Sequence, residues 1–222
     1  MKGMIVKDLR ILLEQKSLMI LGLICGTICL FTMKDPTFLI GYVTLIATSM
    51  GCVSCAYDEM NNGMAYLMAM PCSRTKYVIE KYLFAVAVGL IGWSLSIGLS
   101  FAYLFANHIK ETYLIMGESL GLLALVLTIP AVMIPIVLKF GHARSRIMIY
   151  ILIGIIVAAA GIMSLTHLSS ITVVKDEIVV YVIDYTITLI PRTLVLSALA
   201  LAIIIFVTSM LISIGILKKK EY

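Results

Sequence analysis

The residues of this chain best placed by type and spacing to do chemistry are its cysteines. Cys52-x-x-Cys55 has the spacing of a redox pair or half a zinc site. Cys25 and Cys29 stand one helical turn apart on the preceding apolar stretch, and Cys72 lies further on. Depth argues against a shared site. At ~1.5 Å per residue, Cys55 and Cys52 lie roughly 3 and 8 Å into the second stretch, while Cys25 and Cys29 lie roughly 12 and 18 Å into the first. Adjacent helices would not bring four such thiols within the ~2.3 Å of a zinc–sulfur bond. The cysteines therefore read as small packing residues.

Other catalytic signatures are missing. There is no G-x-S-x-G nucleophile turn, no H-E-x-x-H metal helix and no GxxxxGK[ST] phosphate loop. His108, His142 and His167 fall at the ends of apolar stretches or in loops, where a solvated or headgroup-facing role suffices. No enzyme activity, cofactor or metal is expected in this chain.

The elements explain why. The 222 residues are 62% hydrophobic and 13% charged, with mean hydropathy +1.10. Soluble domains carry about a quarter charged residues, so the fold expected is an all-α integral membrane protein. About 20 apolar residues cross a bilayer. Six stretches qualify, near 17–33, 38–57, 82–106, 114–138, 147–165 and 193–217, within one transmembrane domain over 1–222. Pro130 and Pro135 predict a kink or break in the fourth. Residues 166–192 form a longer connection, and its apolar run Ile178–Ile190 is too short to span and ambiguous in secondary structure.

Charge sets the orientation. Most of the 17 Lys and Arg fall at Lys2, Lys7, Arg10 and Lys16; at Arg74, Lys76 and Lys81; at Lys139, Arg144 and Arg146; and at Lys218, Lys219 and Lys220. The other faces keep Lys34, Lys110, Lys175 and Arg192. This bias puts both termini in the cytoplasm of a multi-pass plasma-membrane protein. The charge of +5 is then a topology signal and does not point to nucleic acid. Residues 1–16 read as an amphipathic helix on the lipid surface, not as a cleaved signal, with Met4, Ile5, Leu9, Leu12 and Leu13 opposite Lys2, Lys7, Arg10 and Glu14. No Asp, Glu, Lys, Arg or His stands in the middle of a span, which argues against a proton-driven pump and suits an apolar or amphipathic cargo.

Small residues mark close packing. Gly22-x-x-x-Gly26, and Gly154, Ala158 and Gly161, could build a subunit interface or pack within the chain.

One polar stretch interrupts the first half, Asp58 to Lys81, DEMNNGMAYLMAMPCSRTKYVIEK. Asn61, Asn62 and Gly63 can start a short helix. Met64, Leu67, Met68 and Tyr66 would form its apolar face, Met70 follows, and Pro71 stops it. Ser73 can cap the next helix, whose lower end carries Arg74, Lys76, Tyr77 and Lys81. A methionine-rich helix makes an adaptable docking surface, though a plain connector has the same composition.

The stretch resembles the region between spans two and three of ABC-2 type permeases, the small six-span kind of bacterial peptide exporters. Asp58, Glu59, Gly63, Leu67, Pro71, Arg74 and Lys81 carry the resemblance, along with the six-span layout. It implies an exporter permease driven by two copies of a separate cytoplasmic ABC ATPase, which would bind ATP and Mg. The permease would pair as a homodimer or with a close paralogue, in contact with membrane lipid, and would move amphipathic or hydrophobic peptides. Residues 61–70 would form a cytoplasmic coupling helix seated in the ATPase, and Asp58, Glu59, Arg74, Lys76 and Lys81 would anchor it. A non-pumping immunity or assembly protein is the alternative.

Overall fold

The computed structural model describes residues 2–33, 36–60, 63–69, 73–107, 119–141 and 192–220. Among the described residues the chain is all helical. The helices are α1 (Lys2–Glu14), α2 (Lys16–Met33), α3 (Pro36–Glu59), α4 (Gly63–Ala69), α5 (Arg74–Ala106), α6 (Ser119–Gly141) and α7 (Arg192–Lys219).

Local chemistry places the boundaries. Pro36 opens α3 at the first helical position, where a missing backbone donor costs nothing. The Ser73 hydroxyl accepts the Lys76 amide at 3.4 Å and caps α5. Asn107 closes α5 by donating through its side chain to the Tyr103 carbonyl at 2.9 Å. Gly141, at φ +76°, takes the left-handed turn that ends α6.

Four helices are long and apolar enough to cross a membrane: α3, α5, α6 and α7. The pair α1–α2, bent by 55° between Glu14 and Met19, makes a fifth if taken as one span. Six spans are expected from the sequence; the one near 147–165, and the run Ile178–Ile190, lie outside the described residues. The 33-residue α5 is about 50 Å long, well beyond a ~30 Å hydrocarbon core. One end of it must therefore project, and the charged turns from Arg74 to Lys81 are the end that can.

The tightest packing joins α3 to α5. A Cβ added at Gly51 would stand 2.8 Å from the Ala85 Cα, and one at Gly92 would stand 2.3 Å from the Ala47 Cβ. The missing side chains let the two backbones meet and gain dispersion contacts that lipid cannot supply. Gly22 and Gly26 serve a similar seam inside the chain: Gly22 receives Ile46, and Gly26 receives Leu39, Tyr42 and Val43, all from α3. Gly154, Ala158 and Gly161 lie outside the described residues.

The helix α6 runs unbroken through Pro130 and Pro135. Pro135 has no N–H to offer the Ala131 carbonyl four residues earlier. Ser209 of α7 supplies the donor instead, at 2.5 Å. Ser209 is itself 2.8 Å from the Tyr82 hydroxyl of α5, which is 2.9 Å from Ser213. Because Ser209 spends its proton on Ala131, Tyr82 must donate to Ser209 and Ser213 to Tyr82. The chain of donors thus runs one way through three helices, and it repairs the gap that a proline leaves in an apolar medium.

Gly51→Val should lower thermal stability by about 1–3 kcal/mol, whereas Gly98→Ala, with nothing within 4 Å of the added carbon, should leave it unchanged. Ser209→Ala should cost roughly 1 kcal/mol. Thermal unfolding in one detergent, monitored by circular dichroism, checks all three variants.

Candidate functional site

The site gathers at the charged end of the bundle, around α4. This seven-residue helix is too short to be stable alone and must borrow stability from its packing. Its first residue approaches α3 so closely that a Cβ on Gly63 would lie 2.9 Å from the Asp58 carbonyl oxygen. Met64 is 2% exposed and joins Met4, Cys52, Cys55, Tyr77, Val78, Leu138 and Leu217 in the main apolar cluster. Leu67, one turn on, packs against the same cluster.

Tyr66 belongs to the other face. It is 75% exposed, with Ala65 exposed beside it, so it does not share the apolar face with Met64 and Leu67 as the spacing predicts. The 100° step between neighbouring residues turns Tyr66 away from both. Asn61, Asn62, Met70 and Pro71 lie outside the described residues, as does the Met68 side chain. Tyr57 and Met60, at the end of α3, are also exposed.

Behind α4 lies a buried ionic cluster. The Lys81 ammonium is 1% exposed and meets Asp8 Oδ2 at 2.5 Å, Asp58 Oδ2 at 2.8 Å and Ser54 Oγ at 3.3 Å. Those three acceptors match its three N–H bonds. Lys7 bonds to Asp58 Oδ1 and stands 3.4 Å from Asp8 Oδ1. The Tyr77 hydroxyl donates to Asp58 Oδ2 at 3.0 Å, and Cys55 Sγ lies 3.9 Å from the same hydroxyl. One ammonium therefore ties α1, α3 and α5 together.

The charges nearly balance. Lys7 and Lys81 offset Asp8 and Asp58. Glu80 is the fifth titratable group, 3% exposed, with no donor meeting either carboxyl oxygen. An ionised carboxylate in such a place is uncompensated, and burying one costs several kcal/mol.

The remaining anchors lie on the rim. Glu59 Oε1 accepts from Lys220 at 2.8 Å. Arg74 Nη1 donates to the carbonyls of Leu217 and Lys218, at 3.1 and 2.8 Å. Lys76 is exposed and contributes its backbone amide to the Ser73 cap. Asp58, Glu59, Arg74 and Lys81 are thus brought to one end of the bundle, while the Lys76 side chain points away.

Sequence reasoning missed half of this cluster. Asp8, Ser54 and Glu80 are not singled out by it, Lys7 and Lys220 enter only as topology charges, and Tyr77 enters only as part of the lower end of α5. A signal for part of it exists: Tyr77 and Lys81 are four apart, so they share a helix face toward Asp58. Asp8 is also the one acidic residue before Glu14, set among aliphatic and basic neighbours. Cys52 and Cys55 are buried in the apolar cluster, and Cys25 is exposed on α2. Among the described residues no group of His, Cys, Asp and Glu is arranged to hold a metal.

Lys81→Met should destabilise the protein by about 3–5 kcal/mol, because it leaves Lys7 alone to offset two buried carboxylates. Glu80→Gln replaces a buried carboxyl that no donor meets and should leave the melting temperature unchanged or raise it. A Glu80→Gln loss as large as that of Lys81→Met would show that Glu80 is a full member of the ionic network.

Comparison with known proteins gives one family. The family described as ABC-2 family transporter protein matches residues 3–218. No curated protein and no solved structure gives a match.

Proposed function

The chain belongs to the ABC-2 transporter family, as a membrane permease component of an ABC transporter, and from that premise we propose that it is an exporter permease for amphipathic or hydrophobic peptides, driven from the cytoplasm. Two copies of a separate ATPase, which bind ATP and Mg, would seat against α4, and the permease would pair with a second copy or a close paralogue. In this reading the charged end faces the cytoplasm of a plasma-membrane protein, as the distribution of Lys and Arg favours.

The observation that carries the docking role is the two-faced setting of α4. Met64 and Leu67 are sunk into a cluster shared with α1, α3, α5, α6 and α7, while Tyr66 stands 75% exposed. An exposed aromatic on a firmly seated helix suits a partner's pocket, because it offers contact area at low entropic cost. Force applied there reaches the spans through packed side chains.

Cargo is supported by composition and by the resemblance to small peptide exporters. The described spans carry no Asp, Glu, Lys, Arg or His between Tyr82 and Ala106 on α5, between Ser119 and Leu138 on α6, or between Leu196 and Leu217 on α7. Such surfaces suit a chain that is itself partly apolar.

Tyr66→Asp should cut export by at least about ten-fold, while leaving membrane insertion and thermal stability intact. The chain alone should hydrolyse no ATP. Hydrolysis should appear on co-purification with a phosphate-loop ATPase encoded beside it. Export at the normal rate by Tyr66→Asp would sink the docking role.

A further inference from the structure

The two ends of α4 share an unexpected holder. Glu59, the last residue of α3, precedes α4, and Arg74, the first residue of α5, follows it. Both are gripped by the short stretch 217–220. Lys220 reaches Glu59 Oε1 at 2.8 Å, and Arg74 reaches the carbonyls of Leu217 and Lys218. We propose that residues 217–220 form a clasp that positions α4 and makes the helix ends around it move as one body.

The chemistry suits that task. The last carbonyls of a helix have no partner within it and carry the negative end of the helix dipole. Arg74 satisfies two of them at the end of α7. Lys220 does the same for α6, donating to the Leu138 carbonyl at 3.1 Å while it holds Glu59. Glu59 in turn lies beside Gly141, where an added Cβ would sit 3.4 Å from Glu59 Oε2. Four helix ends therefore meet at two cations. Leu217, fully buried in the cluster that holds Met64, fastens the clasp from below.

This arrangement differs from the Lys81 cluster. Among the described residues, the ion pairs of that cluster join α1, α3 and α5 and do not reach α6 or α7. The clasp is the ionic route from the ends of α4 to α6 and α7. Its role in transport rests on the permease reading above; its grip on α4 does not.

Amide exchange of residues 63–69, measured by mass spectrometry on the chain in lipid nanodiscs without any ATPase, tests the grip directly. Glu59→Lys and Lys220→Glu should each speed exchange by about five-fold, the scale expected for a part-exposed ion pair. The double swap should return it to within about two-fold of the wild-type rate. Arg74→Ala, which leaves the Glu59–Lys220 pair in place, should also speed exchange. Wild-type exchange in all three single variants overturns the proposal, and so does a double swap as fast as either single change. If the swap fails to insert, Arg74→Ala alone decides. In the assembled transporter, each single change should lower cargo moved per ATP, and the swap should recover it. A chain whose α4 exchange responds as expected but that binds no ATPase would refute the permease reading and leave the clasp standing. A chain that binds and stimulates an ATPase while α4 exchange is indifferent to the clasp would do the reverse.

Discussion

One buried ammonium organises the charged end of this protein. Lys81 cannot stay charged at 1% exposure unless every N–H finds an acceptor, and Asp8, Asp58 and Ser54 supply them. Those acceptors come from two other helices. The burial of Lys81 therefore dictates where α1 lies and how the foot of α3 meets the foot of α5. The cost of breaking such a pair exceeds what its formation contributes. It acts as a constraint on geometry more than as a source of stability. α4 is built on that constraint, because its first residue, Gly63, lies against the Asp58 carbonyl.

Much of the membrane layout was legible in the sequence. A span must be apolar over about 20 residues whatever it packs against, so hydropathy alone located α2, α3, α5, α6 and α7 to within a few residues at most boundaries. The Ser73 cap and the helical character of residues 63–69 also followed from local chemistry. Long-range partners did not. Nothing in the spacing of α1 says that Asp8 meets Lys81, a contact across 73 residues. The exposed and buried faces of α4 were partly misread because all its large residues are apolar, and composition then cannot tell inward from outward. Gly22 and Gly26 illustrate the same limit: a small-residue motif announces a close approach but not by which neighbour, and here α3 takes the space.

Family membership and geometry constrain different things. The match over residues 3–218 identifies a transporter permease. The geometry adds a division between an ion-paired end and an apolar body. Within the body, α3 and α5 touch backbone to backbone, whereas α7 meets its neighbours through hydroxyls and a few side chains. The first contact is stiff. The second is made of discrete bonds that can be exchanged.

That contrast gives the Tyr82–Ser209–Ala131 relay a mechanical meaning. The carbonyl freed by Pro135 has one donor, held at one height on α7. Sliding α7 along α6 by a fraction of a turn would strand the carbonyl in hydrocarbon, and only a full turn would bring another hydroxyl near the same level. Ser213, four residues from Ser209, is such a hydroxyl. The interface between α6 and α7 is thereby notched, like a detent: the next hydroxyl that could take the same seat lies about one helical pitch, ~5.4 Å, away.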